Sequence, residues 1–161
     1  ERRDLRDIVN DGVGLMQRAI DGQRIHLRLD SEAQPLLVEA DRIQIEQVLV
    51  NLLQNALDAI GAAGGPREIS VHCHRREDAM AEVAVRDTGA GLSQAEFAKL
   101  FEPFYTTKPQ GLGMGLAISQ TIIEAHGGRL WADPPAPGAG TTIRFALPLL
   151  PAGSGGSGRP T

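Results

Sequence analysis

Two asparagines and an aspartate recur at helical spacing in the stretch NLLQNALDAI, residues 51–60. Asn51 and Asn55 are four residues apart, so a helix would place them on one face, and Asp58 continues that stripe. Asparagine is a poor helix former, which means that two of them inside a helix need a reason. Amide oxygens are hard ligands of the kind that Mg²⁺ accepts beside water and substrate phosphates. The stretch therefore predicts either a solvated polar face or a row of ligands pointing into a site.

The run DTGAG, residues 87–91, directly follows a predicted strand. Gly89 and Gly91 let the backbone turn sharply and approach a flat ligand closely. Ionised Asp87 can only accept hydrogen bonds, so it suits an exocyclic amine such as that of adenine. The alternative is an ordinary Asp-Gly turn.

The segment FEPFYTTKP, residues 101–109, holds two of the four phenylalanines, the only tyrosine and one of only two lysines. Aromatic residues concentrated in a loop are typical of the anchors of a lid. Lys108 is a flexible point charge that can reach phosphate oxygens. The alternative is a small satellite core beside a solvated lysine.

The stretch GLGMGLAIS, residues 111–119, places three glycines at alternate positions directly before an apolar segment. It is not a Walker loop, because no Lys-Ser/Thr pair follows, and it is not a Rossmann motif, because Leu116 stands where a glycine would be needed. The HRD catalytic loop of eukaryotic-type protein kinases is also missing. The remaining alternatives are a loose surface loop and a glycine-rich helix start, whose free N–H groups and dipole favour anions.

The spacing of the apolar residues predicts the helices and strands that would position these groups. It predicts helices over 5–20, 42–60 and 114–125, a short amphipathic piece over 93–100, and strands over 24–30, 68–73, 80–87, 129–132 and 141–149. Asp41 is a plausible cap for the second helix. This order favours an α+β fold, a two-layer α/β sandwich in which a mixed, mostly antiparallel sheet packs on about three helices. We expect one domain over 1–150 and a flexible tail over 151–161.

The net charge, the length of the apolar runs and the cysteine count exclude several classes of function. With 161 residues, a net charge of −4 and a pI near 5.5, the chain has a real core but no basic field for nucleic acid or an anionic membrane. No apolar run approaches the roughly 20 residues of a membrane helix. The single Cys73 excludes an internal disulfide, and strand alternation would turn it away from His72 and His74, which disfavours metal binding. Because the chain starts at Glu1 without a leader or methionine, we expect a piece of a longer, cytoplasmic or cytoplasm-facing protein.

Taken together and in this order, the motifs resemble the ATP-binding catalytic domain of sensor histidine kinases, from the superfamily shared with gyrase, MutL-type repair and heat-shock chaperone ATPases. The resemblance runs from about Asp4 to Leu150. Its motifs are NLLQNALDA (N box), DTGAG (G1 box), FEPFYTTK (F box) and GLGMGLAIS (G2 box), and AHGGRLWA and GTTIRFALP match the closing strands. The F-box and G2-box region looks most like the branch of oxygen-sensing and nitrogen-regulatory kinases.

The resemblance implies ATP and Mg²⁺ as cofactors. Asn55 would hold Mg²⁺, with Asn51 close to the phosphates, and Asp87 would bind the adenine amine with Thr141 in support. Gly89 and Gly91 would allow the close approach. Residues from about 102 to 114 would form an ATP lid. Further ATP contacts are implied at Asp58, Thr107, Lys108, Gly111, Leu112, Gly113, Met114, Gly115 and Leu116. Gly111 and Gly113 would belong to the moving lid, and Gly115 to the fixed helix start.

One position separates a kinase from an ATPase. The related ATPases carry a glutamate that activates water four residues before the Mg²⁺ asparagine, and here that position is Asn51, whose amide cannot act as a base. Phosphoryl transfer needs mainly positioning and charge neutralisation, which favours a kinase. Asp58 and Thr106 replace basic residues that many histidine kinases carry, so Lys108 is the candidate replacement and joins Asn51 and Asn55 as a catalytic candidate.

The phospho-accepting histidine is missing from this sequence. None of its four histidines, at 26, 72, 74 and 126, stands in an HE-type motif at the start of a helical hairpin. We therefore expect the partners to be a phospho-accepting dimerisation domain preceding Glu1 and a response regulator downstream, with no nucleic acid and no direct membrane contact. The alternatives are an ATPase of the same superfamily, a serine kinase of the anti-sigma-factor type, and a degenerate nucleotide-binding or scaffold module.

Overall fold

Helices and strands follow one another in the predicted order, with two short strands added. The computed structural model describes residues 1–61, 65–103 and 115–151, so most of the predicted tail and most of the predicted lid lie outside the described residues. The helices are α1 (Leu5–Gly22), α2 (Arg42–Gly61), α3 (Gln94–Ala98) and α4 (Gly115–Ala125). The strands are β1 (Arg2–Asp4), β2 (His26–Ser31), β3 (Leu37–Glu39), β4 (Glu68–Arg75), β5 (Met80–Asp87), β6 (Arg129–Ala132) and β7 (Thr141–Pro148).

The two long helices form where the apolar spacing predicts them. The carboxylate of Asp4 caps α1 by accepting the backbone N–H of Arg6 at 3.0 Å. Asp41 does the same for α2, since its carboxylate accepts the backbone N–H of Gln44 at 3.1 Å. Eight apolar residues that recur at helical spacing on α2 are all buried: Ile45, Val48, Leu49, Leu52, Leu53, Ala56, Leu57 and Ile60. This stripe packs α2 on α1 and on the sheet, and leaves the opposite, polar face of α2 for other contacts.

The main sheet has five strands in the order β2-β4-β5-β7-β6. β2 runs parallel to β4, and the other three pairs are antiparallel, so the predicted mixed, mostly antiparallel sheet is confirmed. Cys73 is buried in the core between sheet and helices, whereas His72 and His74 lie on the opposite face, as strand alternation requires. One face of the sheet therefore carries the helices, and the other is open to solvent.

A second, two-stranded sheet pairs β1 with β3 and was not predicted. Each strand has only three residues, which is too short for an alternation pattern to be read. The bridge between Val38 and Leu149 joins this small sheet to the end of β7. The start and the end of the domain thus meet on the same strand. None of the described helices is long and apolar enough to span a lipid bilayer.

The open face of the sheet is organised around one buried carboxylate. Glu82 on β5 is 4% exposed, and its two oxygens accept from Arg76 Nη1 at 2.7 Å and from Arg144 Nη1 at 2.8 Å. Arg144 also forms a two-pronged ion pair with Asp133, with both N–O distances at 2.9 Å. The guanidiniums of Arg76 and Arg129 lie over the Trp131 ring, at 5.6 and 4.4 Å from its centroid. Ion pairs and stacked arginines thus cover this face.

We expect Glu82→Ala to lower the free energy of unfolding by about 2 kcal/mol, because it leaves two guanidiniums without their shared carboxylate. Arg76 and Arg144 are 28% and 31% exposed and regain water, which keeps the cost below that of a fully buried pair. Urea unfolding measures the change. In the control Asp30→Ala, which removes a 69% exposed carboxylate 3.3 Å from His72 on the same face, we expect less than about 0.5 kcal/mol. Equal effects would refute a special role for Glu82.

Candidate functional site

The polar face of α2 contacts the start of α4. Asn51 Nδ2 donates to Ser119 Oγ at 3.1 Å and approaches the carbonyl oxygen of Gly115 at 3.5 Å. Its Oδ1 accepts from Gln47 Nε2 at 3.1 Å. Asn51 is therefore part of a hydrogen-bonded junction between two helices, and the alternative of a merely solvated asparagine does not hold for it.

Asn55 and Asp58 continue the same stripe toward the C-terminal end of α2. Asn55 is half-buried and Asp58 is exposed. Asp58 Oδ1 accepts from Gln54 Nε2 at 3.1 Å, an i to i+4 contact along the helix. The predicted row of amide and carboxylate side chains thus exists, with two half-buried asparagines followed by an exposed aspartate.

Asp87 is the most constrained acid in this region. It ends β5, is 5% exposed, and accepts backbone N–H groups from Gly89, at 2.8 Å, and from Thr141. Burial raises the pKa of the Asp87 carboxyl from 3.8 to about 6, although the two backbone donors act in the opposite direction. The carboxylate is therefore ionised at neutral pH only at a free-energy cost, which a ligand that donates a hydrogen bond to it would offset.

Close backbone approaches surround Asp87. A Cβ added to Gly89 would lie 2.6 Å from the backbone carbonyl of Ala59 on α2. Gly140, just before β7, has φ +69, and a Cβ there would lie 2.0 Å from the Asp87 carbonyl oxygen. Only glycine permits these contacts. They bring the end of β5, the start of β7 and helix α2 into direct contact at one edge of the domain.

The structure brings most of the described candidates together. Thr141 pairs with Asp87 in the β5–β7 register, and Gly91 (φ +80) lies against Gly140. Gly115 is the first residue of α4, one position after the predicted start of this helix. Leu116 is half-buried and packs against the core, so its side chain contributes to packing. The remaining predicted contacts lie outside the described residues: Thr107, Lys108, Gly111, Leu112, Gly113 and Met114.

Sequence reasoning missed three residues of this region. Gln47 and Ser119 hold the side chain of Asn51, and Gly140 makes room for the backbone of Asp87. Ser119 is 0% exposed, and a hydroxyl inside an otherwise apolar helix face was the signal that could have revealed it. Gly140 stands in a glycine-containing turn, where nothing separates a loop glycine from one required by packing.

Comparison with known proteins agrees with this geometry. Residues 40–151 match the family described as histidine kinase-, DNA gyrase B- and HSP90-like ATPase. The chain belongs to this family. The sensor protein FixL of Bradyrhizobium diazoefficiens is 50% identical over 126 residues, which cover 78% of this chain and 25% of FixL. The signal transduction histidine-protein kinase AtoS of Escherichia coli is 37% identical over 152 residues, covering 93% of this chain and 24% of AtoS. The chain thus spans about a quarter of the length of these curated relatives.

Solved structures confirm the fold. The nucleotide-free catalytic domain of histidine kinase ThkA superimposes with a TM-score of 0.79 at 32% identity, over 92% of this chain and 95% of that one. ThkA in complex with the response regulator TrrA gives a TM-score of 0.75 at 30% identity, over 93% of this chain and 42% of that one. The motifs, the fold and the relatives together make this chain a catalytic domain of the histidine kinase type, which confirms the resemblance stated from the sequence.

We expect Asp87→Asn to raise the free energy of unfolding at pH 7.5 by up to about 3 kcal/mol in the absence of ligand. A carboxyl whose pKa rises from 3.8 to about 6 on folding destabilises the fold by about 1.4 kcal/mol for each unit, and an amide oxygen can still accept the backbone N–H of Gly89.

The direction of the Asp87 pKa shift determines how this stability difference depends on pH. Because folding raises the pKa, the penalty is complete above pH 6 and is lost as the pH falls through 6 toward 3.8. The stability difference between the variant and the wild type should therefore shrink between pH 6.5 and 4.5 in urea unfolding. In the control Asp30→Asn, on an exposed carboxylate, we expect little change at either pH. A constant difference for Asp87→Asn would contradict the assigned cause.

Proposed function

We propose that this chain binds ATP with Mg²⁺ along the polar face of α2 and transfers the γ-phosphoryl group to a histidine on a dimerisation domain of the same parent protein. One observation carries the proposal: the buried carboxylate of Asp87 lies at the edge where β5 meets α2, and α2 carries Asn51 and Asn55 toward the start of α4. The candidate acceptor for adenine, at the end of β5, therefore lies beside the helix that carries the candidate polar groups for the phosphates.

At the adenine end, Asp87 would accept a hydrogen bond from the exocyclic amine. Its ionised form offers acceptor capacity only, so it favours an amine over a carbonyl at that position of the base. Gly89 packs directly against the backbone of Ala59 on α2, which fixes the turn whose N–H donates to Asp87. The Thr141 N–H keeps the carboxylate oriented.

At the phosphate end, Asn55 would hold Mg²⁺, which would neutralise charge on the phosphates when bound. Within residues 1–61, 65–103 and 115–151, no three His, Cys, Asp or Glu side chains are grouped so that they could hold a metal ion. The amide of Asn55 would therefore be joined by water and phosphate oxygens, which matches the ligand preference of Mg²⁺. The N–H groups in the first turn of α4, which have no acceptor within the helix, would add donors for phosphate, and Lys108 is the proposed cationic contact.

The environment of Asn51 supports a kinase over an ATPase. Its Nδ2 is engaged by α4 and its Oδ1 accepts from Gln47, and an amide cannot take a proton from water at neutral pH. No base stands at this position to activate water, so the phosphoryl group remains available to a histidine. In phosphoryl transfer the protein contributes position and charge stabilisation.

The proposed partners follow from this reaction. A phospho-accepting dimerisation domain would present the histidine, and a response regulator would receive the phosphoryl group afterwards. ThkA, with a similar catalytic domain, was solved with the response regulator TrrA, which supports this class of partner. A cytoplasmic or cytoplasm-facing location is part of the proposal, because ATP must reach the site.

We expect Asn55→Ala to abolish Mg²⁺-dependent phosphorylation of a supplied phospho-accepting hairpin while leaving urea unfolding within about 1 kcal/mol of the wild type. The loss of the only proposed metal-binding side chain is the reason. Labelled ATP and detection of acid-labile phosphohistidine measure the reaction. Gln54→Ala, one position earlier and exposed, serves as the control and should retain activity. Normal transfer by Asn55→Ala would refute the metal assignment.

The same assay separates the alternatives. Phosphohistidine is acid-labile, so acid-stable phosphate on a partner would indicate a serine kinase instead. Steady hydrolysis of ATP by the chain alone would indicate an ATPase, and an absence of nucleotide binding would leave a scaffold module.

We expect Asp87→Asn to weaken ATP binding and to remove part of its pH dependence. Protonation of Asp87 near pH 6 removes an acceptor for the adenine amine, so affinity should fall by up to about tenfold between pH 7 and 5. Calorimetry at both pH values measures this change. The Asn variant controls for the titration of ATP itself, and an equal pH dependence in both proteins would contradict the role of Asp87.

A further inference from the structure

The hydroxyl of Ser119 is fully buried and lies in α4, one helical turn after Gly115. It is 0% exposed, and it accepts the Nδ2 of Asn51 at 3.1 Å. A buried hydroxyl that loses its partner costs free energy. Ser119 and Asn51 therefore hold each other in place across the interface of α2 and α4.

The orientation of the Asn51 amide follows from its three neighbours. The carbonyl oxygen of Gly115 can only accept, so the nitrogen of Asn51 must be the atom that faces α4. Gln47 Nε2 is a donor, so the atom that faces it must be Oδ1. Both N–H bonds of the amide are thus directed at α4, and only a lone pair of Oδ1 is left for another ligand.

The far end of α4 is attached to α2 by a separate contact. His126 Nδ1 lies 2.8 Å from the carbonyl oxygen of Ile122, so this nitrogen carries the proton and donates. Its Nε2 accepts the backbone N–H of Asp41 at 3.1 Å, just before α2 begins. Because this second contact does not involve Ser119, loss of the Ser119 hydroxyl should release only the start of α4.

We propose that Ser119 is a positioning residue, which acts through Asn51 to align the first turn of α4 with the polar face of α2. In this assignment the Nδ2 of Asn51 orients the helix start, which leaves one lone pair of its Oδ1 for the phosphate end of the site. The inference rests on the proposed function, because the groups being aligned are the N–H donors at Gly115 and the side chain of Asn55, which would act on the phosphates. The adenine end, built by Asp87, does not depend on this alignment.

Binding of ATP and of adenosine by the 161-residue chain tests the inference. We expect Ser119→Ala to weaken Mg-ATP binding about five- to tenfold, the equivalent of one neutral hydrogen bond, and to leave adenosine binding unchanged. Calorimetry measures the first and NMR titration the second. Thr121→Ala, which removes an exposed hydroxyl that donates to Ala117 within the same helix, is the matched control and should bind both ligands normally.

A double-mutant cycle shows whether Ser119 acts through Asn51. If it does, adding Ser119→Ala to Asn51→Ala should produce no further loss of ATP affinity. Gln47→Ala, at an exposed position, removes the donor that orients Asn51 without touching the core, and should produce a smaller loss in the same direction. It keeps the test decisive if Ser119→Ala does not fold.

The outcomes are distinguishable. If the wild-type chain does not bind ATP, the proposed function fails and this inference fails with it. If the wild type binds and Ser119→Ala binds equally well, only the inference fails. Equal losses for ATP and adenosine would indicate a general structural effect and would also overturn it, as would additive losses in the cycle.

Discussion

The burial of one carboxylate, Asp87, is the constraint on which this edge of the domain depends. Asp87 is withdrawn from water and held by two backbone N–H groups. This arrangement forces the end of β5 against the start of β7, where only Gly140 fits, and the following turn against α2, where only Gly89 fits. The free energy lost by desolvating the carboxylate is balanced by packing elsewhere. A desolvated carboxylate of this kind favours ligand binding, because a suitable ligand supplies the hydrogen bond that solvent cannot.

Helix α2 packs against the turn that follows this carboxylate, and it has one apolar face and one polar face. Eight apolar side chains on one face fill the core, which makes the helix rigid. The other face carries Asn51, Asn55 and Asp58, whose backbone positions are fixed by the packing of the helix. α4 is then hydrogen-bonded to α2 through Ser119, one turn into the helix, and His126 just after α4 accepts the N–H of Asp41, the cap of α2. The candidate site is thus built on packed helices, whose positions are fixed by the core beneath them.

Much of this arrangement was predictable from local patterns. Helices α1 and α2, the Asp41 cap of α2 and the strands β4 and β5 depend on neighbours within a few residues, and the structure confirms them. The order of four motifs was enough to identify the family. The β1–β3 pairing, the parallel β2–β4 pair and the glutamate buried under two arginines were not predictable, because each depends on segments distant in sequence meeting in space. The roles of Ser119 and Gly140 were missed for the same reason.

The sequence by itself determined which residue types are available, the periodicity that places Asn51 and Asn55 on one face, and membership in an ATPase family. Only the tertiary structure decided that the amide of Asn51 turns toward α4, and that the carboxyl of Asp87 is buried deeply enough to move its pKa to about 6. The physical reason is that periodicity is a property of the backbone, which neighbouring residues set. Hydrogen-bond partners and dielectric environment are properties of packing, which the whole fold sets.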